Sequence, residues 1–298
     1  MNRMSSPALF ETAYNRSDCE IGIVHLGFGA FHRAHQALYV DDYMDQTGDL
    51  RWGIAAVNLR AAESPSFAPL KEAQHGYVLK SMSGSGEIDF RRVHSHVKFF
   101  DWADNAEEAE ELLARPSVHM VTITVTESGY YMDETGALNS EDPTIAAELG
   151  GGAPCTIYAY LTRALARRQA AGLGGISILC CDNIRRNGKM LQRNLFAYLN
   201  LIGAEDLVEW VRAWVTFPCS MVDRITPRTT EKLQSEVDAL FGPSPFVPIM
   251  AEDFTQWVVD DQFAAERPDL TQVGVTFTQN VDPYEEAKIR ILNGGHTC

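Results

Sequence analysis

The sequence predicts an α/β protein, built as a mostly parallel sheet with helices on both faces. Two observations carry this expectation. Short, mostly apolar runs, such as Ile21–Leu26 ahead of Gly27, alternate with longer stretches of helical periodicity. Alternation of that kind builds right-handed βαβ units. A length of 298 residues accommodates one large α/β domain or two smaller ones.

Taken in order, Ile21–Leu26 is a buried strand that enters a tight turn at Gly27. Residues 32–45 read as one helix with Ala34, Leu38 and Tyr39 on its apolar side, followed by a second strand at 52–57. Between 77 and 97, two alternating runs flank Gly84-Ser85-Gly86, the pattern of a hairpin insertion. A short helix at 106–113 feeds a strand at 118–125. A helix at 157–169 stops at Gly172, Gly174 and Gly175, ahead of a strand at 176–181. Residues 187–241 read as mainly helical with a break near Phe217-Pro218. A new helix starts with proline at 283, where the sequence expects a second domain to open.

Composition removes several function classes. With 45% hydrophobic and 22% charged residues, the chain is neither disordered nor collagen-like. No apolar stretch approaches the roughly 18 residues of a membrane helix, and the first twenty residues lack the apolar core of a signal peptide. A cytoplasmic protein without a membrane partner is expected. Twenty-five Lys+Arg against 40 Asp+Glu give a net charge of −15, which argues against a nucleic-acid partner. An anionic cofactor would have to be met by local donors such as backbone N–H groups. The six cysteines form no CxxC pair and read as reduced thiols rather than zinc ligands or disulfides.

The turn after the first strand is His25-Leu26-Gly27-Phe28-Gly29-Ala30-Phe31-His32. In a dinucleotide-binding turn the first glycine permits the bend, and the second lets backbone approach the pyrophosphate. The usual third glycine is His32 here, so the fingerprint alone is also compatible with a plain tight turn. Read as a Rossmann-type cofactor turn, it makes Gly27, Phe28, Gly29, Phe31, His32 and Arg33 candidate cofactor residues. Glu63, beyond the second strand, is the candidate acceptor for the adenosine ribose, though it lies further along than the usual spacing. Arg60 beside it could instead meet a 2′-phosphate. NAD is therefore expected ahead of NADP, with a solvated loop as the plain alternative.

The longer string Gly27-Phe28-Gly29-Ala30-Phe31-His32-Arg33-Ala34-His35-Gln36 resembles the opening motif of the polyol-specific long-chain dehydrogenases. That family includes mannitol 2-dehydrogenases, D-arabinitol 4-dehydrogenases and fructuronate reductases. Four further segments are similar and occur in the family's order. They are residues 122–130 (TITVTESGY), Cys181-Asp182-Asn183, residues 217–224 (FPCSMVDR) and residues 288–296 (KIRILNGGH). Histidine at the third glycine position is part of that family pattern.

The resemblance implies hydride transfer between NAD and a sugar alcohol/ketose pair. It also implies a dinucleotide-binding domain at 1–282, with 283–298 as the first turns of a helical substrate domain whose remainder the chain does not contain. It assigns the general acid/base role to Lys288 and hydrogen bonds to the substrate oxygen to Asn293 and Asn183. His296 would position the substrate, and Glu285 would gate proton exchange between Lys288 and solvent. Two alternatives accompany this reading: a hexuronate reductase of the fructuronate type, and a cofactor-binding fragment without turnover.

The residues themselves are compatible with those roles. Alcohol oxidation needs a base, donors for the developing oxyanion and an aligned nicotinamide. By residue type alone Lys288 would be a solvated surface lysine; the motif is what singles it out. On one continuous helix Asn293 would lie about 140° and His296 about 80° around from Lys288, so all three could share a broad face. Asn183 follows a strand at the carboxyl edge where open α/β sheets bind ligands. Asp223 and Arg224 read equally as a buried pair or as part of the substrate wall. His32 and His35 are one turn apart but have no third ligand, so no metal is expected. Tyr284 and Lys288 reproduce the Y-x-x-x-K spacing of short-chain dehydrogenases, but without that family's glycine motif or chain position. Tyr284 is therefore expected to be structural.

Overall fold

The computed structural model describes residues 7–73 and 75–295, with side chains described as far as residue 290. Thirteen strands are present among the described residues. They are β1 (Leu9–Glu11), β2 (Ile21–Leu26), β3 (Gly53–Asn58), β4 (Tyr77–Met82) and β5 (Ile88–Val93). Next come β6 (His96–Asp101), β7 (Met120–Ile123), β8 (Ile176–Cys180) and β9 (Val215–Thr216). The last four are β10 (Ser220–Asp223), β11 (Ile249–Glu252), β12 (Gln256–Asp260) and β13 (Thr276–Thr278).

Six of them make the central sheet, in the order β6-β3-β2-β7-β8-β9, and every neighbouring pair in it is parallel. This is the doubly wound order, in which the direction of winding reverses between the first strand of the sheet and the fourth. Here that reversal falls between β2 and β7. Side chains along each strand alternate between two cores, as period 2 requires. Val24, Leu26, Ala55, Val57, Val121 and Ile123 face the helices Ile157–Ala170, Asn187–Leu201 and Glu205–Trp214. Ile23, Ile54, Ala56 and Met120 face the helix Gln36–Thr47 and the region around Trp257 and Leu270. The sheet is thus covered on both faces, as the sequence predicts.

The expected hairpin is β4–β5, paired antiparallel from Tyr77↔Val93 to Met82↔Ile88. It recruits β1 and β11 at its edges into a four-stranded sheet. A three-stranded sheet, β10-β12-β13, was not legible beforehand. Its strands are three to five residues long, too short to show a period against the surrounding helices.

Two helical expectations change in detail. The stretch at 32–45 is two helices, Ala30–Ala34 and Gln36–Thr47, separated at His35, whose φ of −123° and ψ of −91° interrupt the helical path. The region 187–241 contains three helices, but β9 and β10 occupy the break at Phe217-Pro218. The closing helix runs from Asp282 to Gly295, through both of its final glycines. No described helix is long and apolar enough to cross a membrane.

Candidate active site

The turn leaving β2 sits where the winding reverses. Gly27 has φ +104°, and a Cβ there would lie 2.7 Å from the Thr124 carbonyl oxygen, so this position needs glycine for the bend. Gly29 precedes the helix Ala30–Ala34, and a Cβ on it would meet nothing within 4 Å. Packing does not require glycine there; its absent side chain leaves an open approach to the backbone. That approach is the mouth of a crevice of about 170 Å³, lined by Gly27, Phe28, Gly29, Arg60, Glu63 and the β7 end from Thr124 to Thr126. Glu63 stands on an exposed turn with its Oε1 3.4 Å from Arg60 Nη1. The crevice therefore brings together the glycine turn and the predicted ribose acceptor.

Phe31, His32 and Arg33 do not line this crevice. Phe31 stacks on His35 with ring centroids 5.0 Å apart. Arg33 donates to the Val247 carbonyl at 2.7 Å and lies over the Phe28 ring. His32 is wholly buried behind the turn. The first helical turn points these side chains toward the core, where they support the loop from beneath.

His32 belongs to a chain of buried polar side chains. His96 Nε2 and His32 Nε2 are 2.9 Å apart, and His32 Nδ1 lies 3.3 Å from Gln36 Oε1. Gln36 Nε2 is 2.8 Å from His35 Nδ1, and His35 Nε2 is 2.8 Å from the Gln256 carbonyl oxygen. The acceptor-only carbonyl fixes every proton in the chain. His35 must donate through Nε2, so its Nδ1 accepts from the Gln36 amide. Gln36 Oε1 then accepts from His32 Nδ1, and His32 Nε2 accepts from His96. All three rings are neutral in this arrangement. His25 stacks on His32 at 3.2 Å and pairs with the hydroxyls of Thr122 and Thr124. Burial pushes His32 and His35 down to about 3 and His25 and His96 well below the usual imidazole range. Only the sequence neighbours His32 and His35 were singled out beforehand; His96 is 64 residues away and carries no local signal. Among the described residues no group of three His, Cys, Asp or Glu side chains is arranged to hold a metal.

A second pocket, of about 210 Å³, opens at the end of β8 and is lined by Asn183, Ser220, Val222, Glu285 and Lys288. Lys288 projects from the closing helix into it. Its Nζ donates to Asn183 Oδ1 at 3.3 Å and to the Val222 carbonyl at 2.5 Å, and lies 3.1 Å from Asp223 Oδ1. Three oxygens, one of them anionic, thus match the three N–H bonds of an ammonium. The structure brings Lys288, Asn183 and Asp223 together, a contact the sequence left open for Asp223; the Val222 carbonyl carries no side-chain signal.

Glu285 lines the same pocket, but its carboxylate accepts from the Arg186 amide at 3.1 and 3.4 Å. It caps the helix Asn187–Leu201 from a distant part of the chain, and burial raises its pKa. Arg224 is not part of this site and is not paired with Asp223. Its guanidinium donates to the carbonyls of Glu252 and Ala34 and to Ser81 Oγ, anchoring β10 to the hairpin sheet. Asn293 lies on the lysine's helix, but its side chain is outside the described residues, as is all of His296. Tyr284 is partly exposed on the same helix. A broad cleft of about 1220 Å³ shares Thr126 and Tyr131 with the crevice and Ile184 and Arg185 with the lysine pocket, and so joins the two.

The family model described as the mannitol dehydrogenase Rossmann domain matches residues 21–272. The chain belongs to this family. Among mannitol dehydrogenase family members, a D-arabinitol 4-dehydrogenase of Klebsiella pneumoniae is 39% identical over 275 residues, covering 92% of this chain and 60% of that protein. A mannitol 2-dehydrogenase of Cereibacter sphaeroides is 40% identical over 291 residues, covering 95% and 59%. A Pseudomonas fluorescens mannitol 2-dehydrogenase, solved as a ternary complex with NAD and D-mannitol, superposes with a TM-score of 0.88 at 35% identity, covering 95% and 58%. A D-sorbitol dehydrogenase in substrate-free form gives 0.89 at 33%, covering 98% and 61%. The chain spans about three-fifths of the length of these four relatives.

Proposed function

We propose that the chain is the cofactor-binding and acid/base portion of a cytoplasmic, NAD-dependent polyol dehydrogenase. Residues 1–282 would form the dinucleotide-binding domain, and the helix from 283 would open the substrate domain. The carrying observation is Lys288, held by Asn183, Asp223 and the Val222 carbonyl in a pocket joined to the glycine-turn crevice. The crevice suits a dinucleotide: Gly29 leaves the approach open, and Glu63, which lines the same crevice, would accept from a ribose hydroxyl. Glu63 would repel a 2′-phosphate, which favours NAD over NADP. Bound NAD would supply the hydride acceptor.

The chain's own residues would handle the proton. With the substrate oxygen in place of one of its three acceptors, neutral Lys288 keeps its two N–H bonds on the other two and takes the hydroxyl proton on its lone pair, becoming an ammonium. In the reverse direction the same ammonium donates to the ketone oxygen. Asn183 holds the lysine on one side and, with Asn293, would contact the substrate oxygen; His296 would orient the substrate. Glu285, whose carboxyl pKa is raised by burial, is suited to pass the proton onward to solvent. No metal is required by this scheme. The five described cysteines are free thiols, consistent with a reducing compartment.

The test is Lys288→Ala, measured by NADH fluorescence titration beside turnover on D-mannitol, D-arabinitol, D-sorbitol and D-fructuronate. NADH affinity should stay within about twofold, while polyol turnover falls by roughly 10²–10⁴, as for a lost general base. A parent protein that turns over only the hexuronate would favour the reductase reading. One that binds NADH without any turnover would leave only the cofactor-binding role. Undiminished turnover in the alanine variant would refute the lysine mechanism.

A further inference from the structure

Asp182 has no role in the scheme above, yet it joins the two halves of the site. At the carboxyl edge of the sheet β7 and β8 are neighbours, and the Asp182 side chain crosses from the end of β8 to the end of β7. Its Oδ2 accepts from the Val125 amide at 2.9 Å and from the Tyr130 hydroxyl at 2.7 Å, and its Oδ1 accepts from the Thr126 amide at 3.3 Å. One carboxylate therefore takes two consecutive backbone N–H groups.

The second of those residues has an uncommon backbone. Thr126 has φ 66° and ψ 161°, a region that glycine enters freely and a β-branched residue does not. Such a conformation persists only where its surroundings over-determine it. Asp182 supplies that constraint on the amide side, and the Gly129 amide donates to the Thr126 carbonyl at 3.0 Å on the other. Thr124, Val125 and Thr126 are one wall of the cofactor crevice, while the residue after Asp182 is Asn183, which accepts from Lys288.

We propose that Asp182 is a positioning residue that holds Thr126 in its strained conformation and so sets the cofactor wall in register with Asn183 and Lys288. Its functional half rests on the dehydrogenase reading; its structural half does not. Asp182 borders the lysine pocket, but its carboxylate is taken up by the Val125 and Thr126 amides and the Tyr130 hydroxyl, so it acts through the backbone it fixes.

The experiment compares Asp182→Ala, Asp182→Asn, Thr126→Gly and the Asp182→Ala/Thr126→Gly double variant by NADH titration and urea unfolding. Losing the carboxylate lets Thr126 relax, so Asp182→Ala should weaken NADH binding by about tenfold or more. Asp182→Asn keeps one acceptor oxygen and should fall between. Thr126→Gly takes a side chain from the crevice wall and so sets its own baseline in the parent, yet it should recover at least about threefold in the Asp182→Ala background. Glycine reaches the required backbone without help, whereas a merely structural aspartate would show no such rescue. An unchanged affinity in Asp182→Ala, or a double variant as weak as Asp182→Ala, overturns the proposal. If Asp182→Ala does not fold, the same comparison is made with Asp182→Asn.

If the parent binds no NADH, the dehydrogenase reading fails and the strain is read from urea midpoints of the ligand-free protein. Thr126→Gly should then raise the parent's midpoint more than that of the Asp182 variant, because only the parent still carries the strain. Additive midpoints would overturn the positioning role on that ground too.

Discussion

Acidification should destabilise this fold through its buried histidines. His25, His32, His35 and His96 are wholly or almost wholly buried, and burial lowers the pKa of each. The charged side chains acting on these rings, Arg16, Arg33, Arg224 and Lys288, are all cationic, so no carboxylate compensates an imidazolium there. The sign follows from linkage. A depressed folded pKa means that the unfolded chain binds the proton first, so stability is full above the unfolded value of about 6.5 and is lost as pH falls toward about 3.

Between pH 7 and pH 5 a histidine held near 3 costs about 2 kcal/mol, so His32 and His35 together cost about 4 kcal/mol, and His25 and His96 act in the same direction. A domain stable by roughly 5–15 kcal/mol would lose much of its margin in that interval. Asp41, Asp42, Asp182 and Glu285 pull the other way, since burial raises their pKa values and the folded state gains protons on them. The assay is urea unfolding at intervals from pH 7.5 to 5, where the slope of stability against pH gives the protons taken up on unfolding. His96→Gln keeps an amide donor for His32 and should lower that uptake by about one proton near pH 5. Four ring resonances that fail to titrate between pH 8 and 5 should accompany this. Rings that titrate near 6.5 in the folded protein, or a stability independent of pH, would refute the buried neutral network.

Three further outcomes test the site. Glu63→Lys should weaken NAD binding by about 1–3 kcal/mol, the cost of a lost charged hydrogen bond, while NADP suffers less or gains; equal losses would remove Glu63 from the ribose. Tyr284→Phe should keep most of any turnover measured, since Tyr284 is partly exposed and lies outside the lining of the lysine pocket; an inactive Tyr284→Phe beside an active Lys288→Ala would favour a tyrosine mechanism. Prolonged chelation should leave NADH binding and turnover unchanged, and activity restored only by zinc would reveal a ligand set not recognised here.

What the sequence made legible follows from how local each signal is. The central sheet announces itself because β2, β3, β7 and β8 are short, mostly apolar runs, and Gly27 and Gly29 follow one of these runs directly. Lys288, Asn183 and Asp223 were nameable because each sits in a short motif, although 105 residues separate the lysine from Asn183. Three features had no such trace. The third sheet is made of fragments too short for periodicity. The partner of His32 is His96, on the far edge strand, and only the folded sheet brings them together. The third acceptor for Lys288 is the backbone carbonyl of Val222, which no residue type encodes.

The helix break at His35 shows why local periodicity misled there. A continuous helix over 32–45 satisfies the apolar pattern, but the neutral chain from His96 to the Gln256 carbonyl needs His32, His35 and Gln36 all turned inward. Residues three apart share a helical face, but one apart do not. Interrupting the helix at His35 places the adjacent pair His35 and Gln36 in contact, with His35 Nδ1 and Gln36 Nε2 2.8 Å apart. The same interruption carries His35 to Gln256, which pairs across the β10–β12 ladder with Asp223. The motif that opens the cofactor turn is therefore bound, through His32, Gln36 and His35, to β12, the ladder partner of the strand that supplies the carboxylate at Lys288. Polar residues buried at that cost in a small helical segment are explained by this connection, which helical propensity alone does not supply.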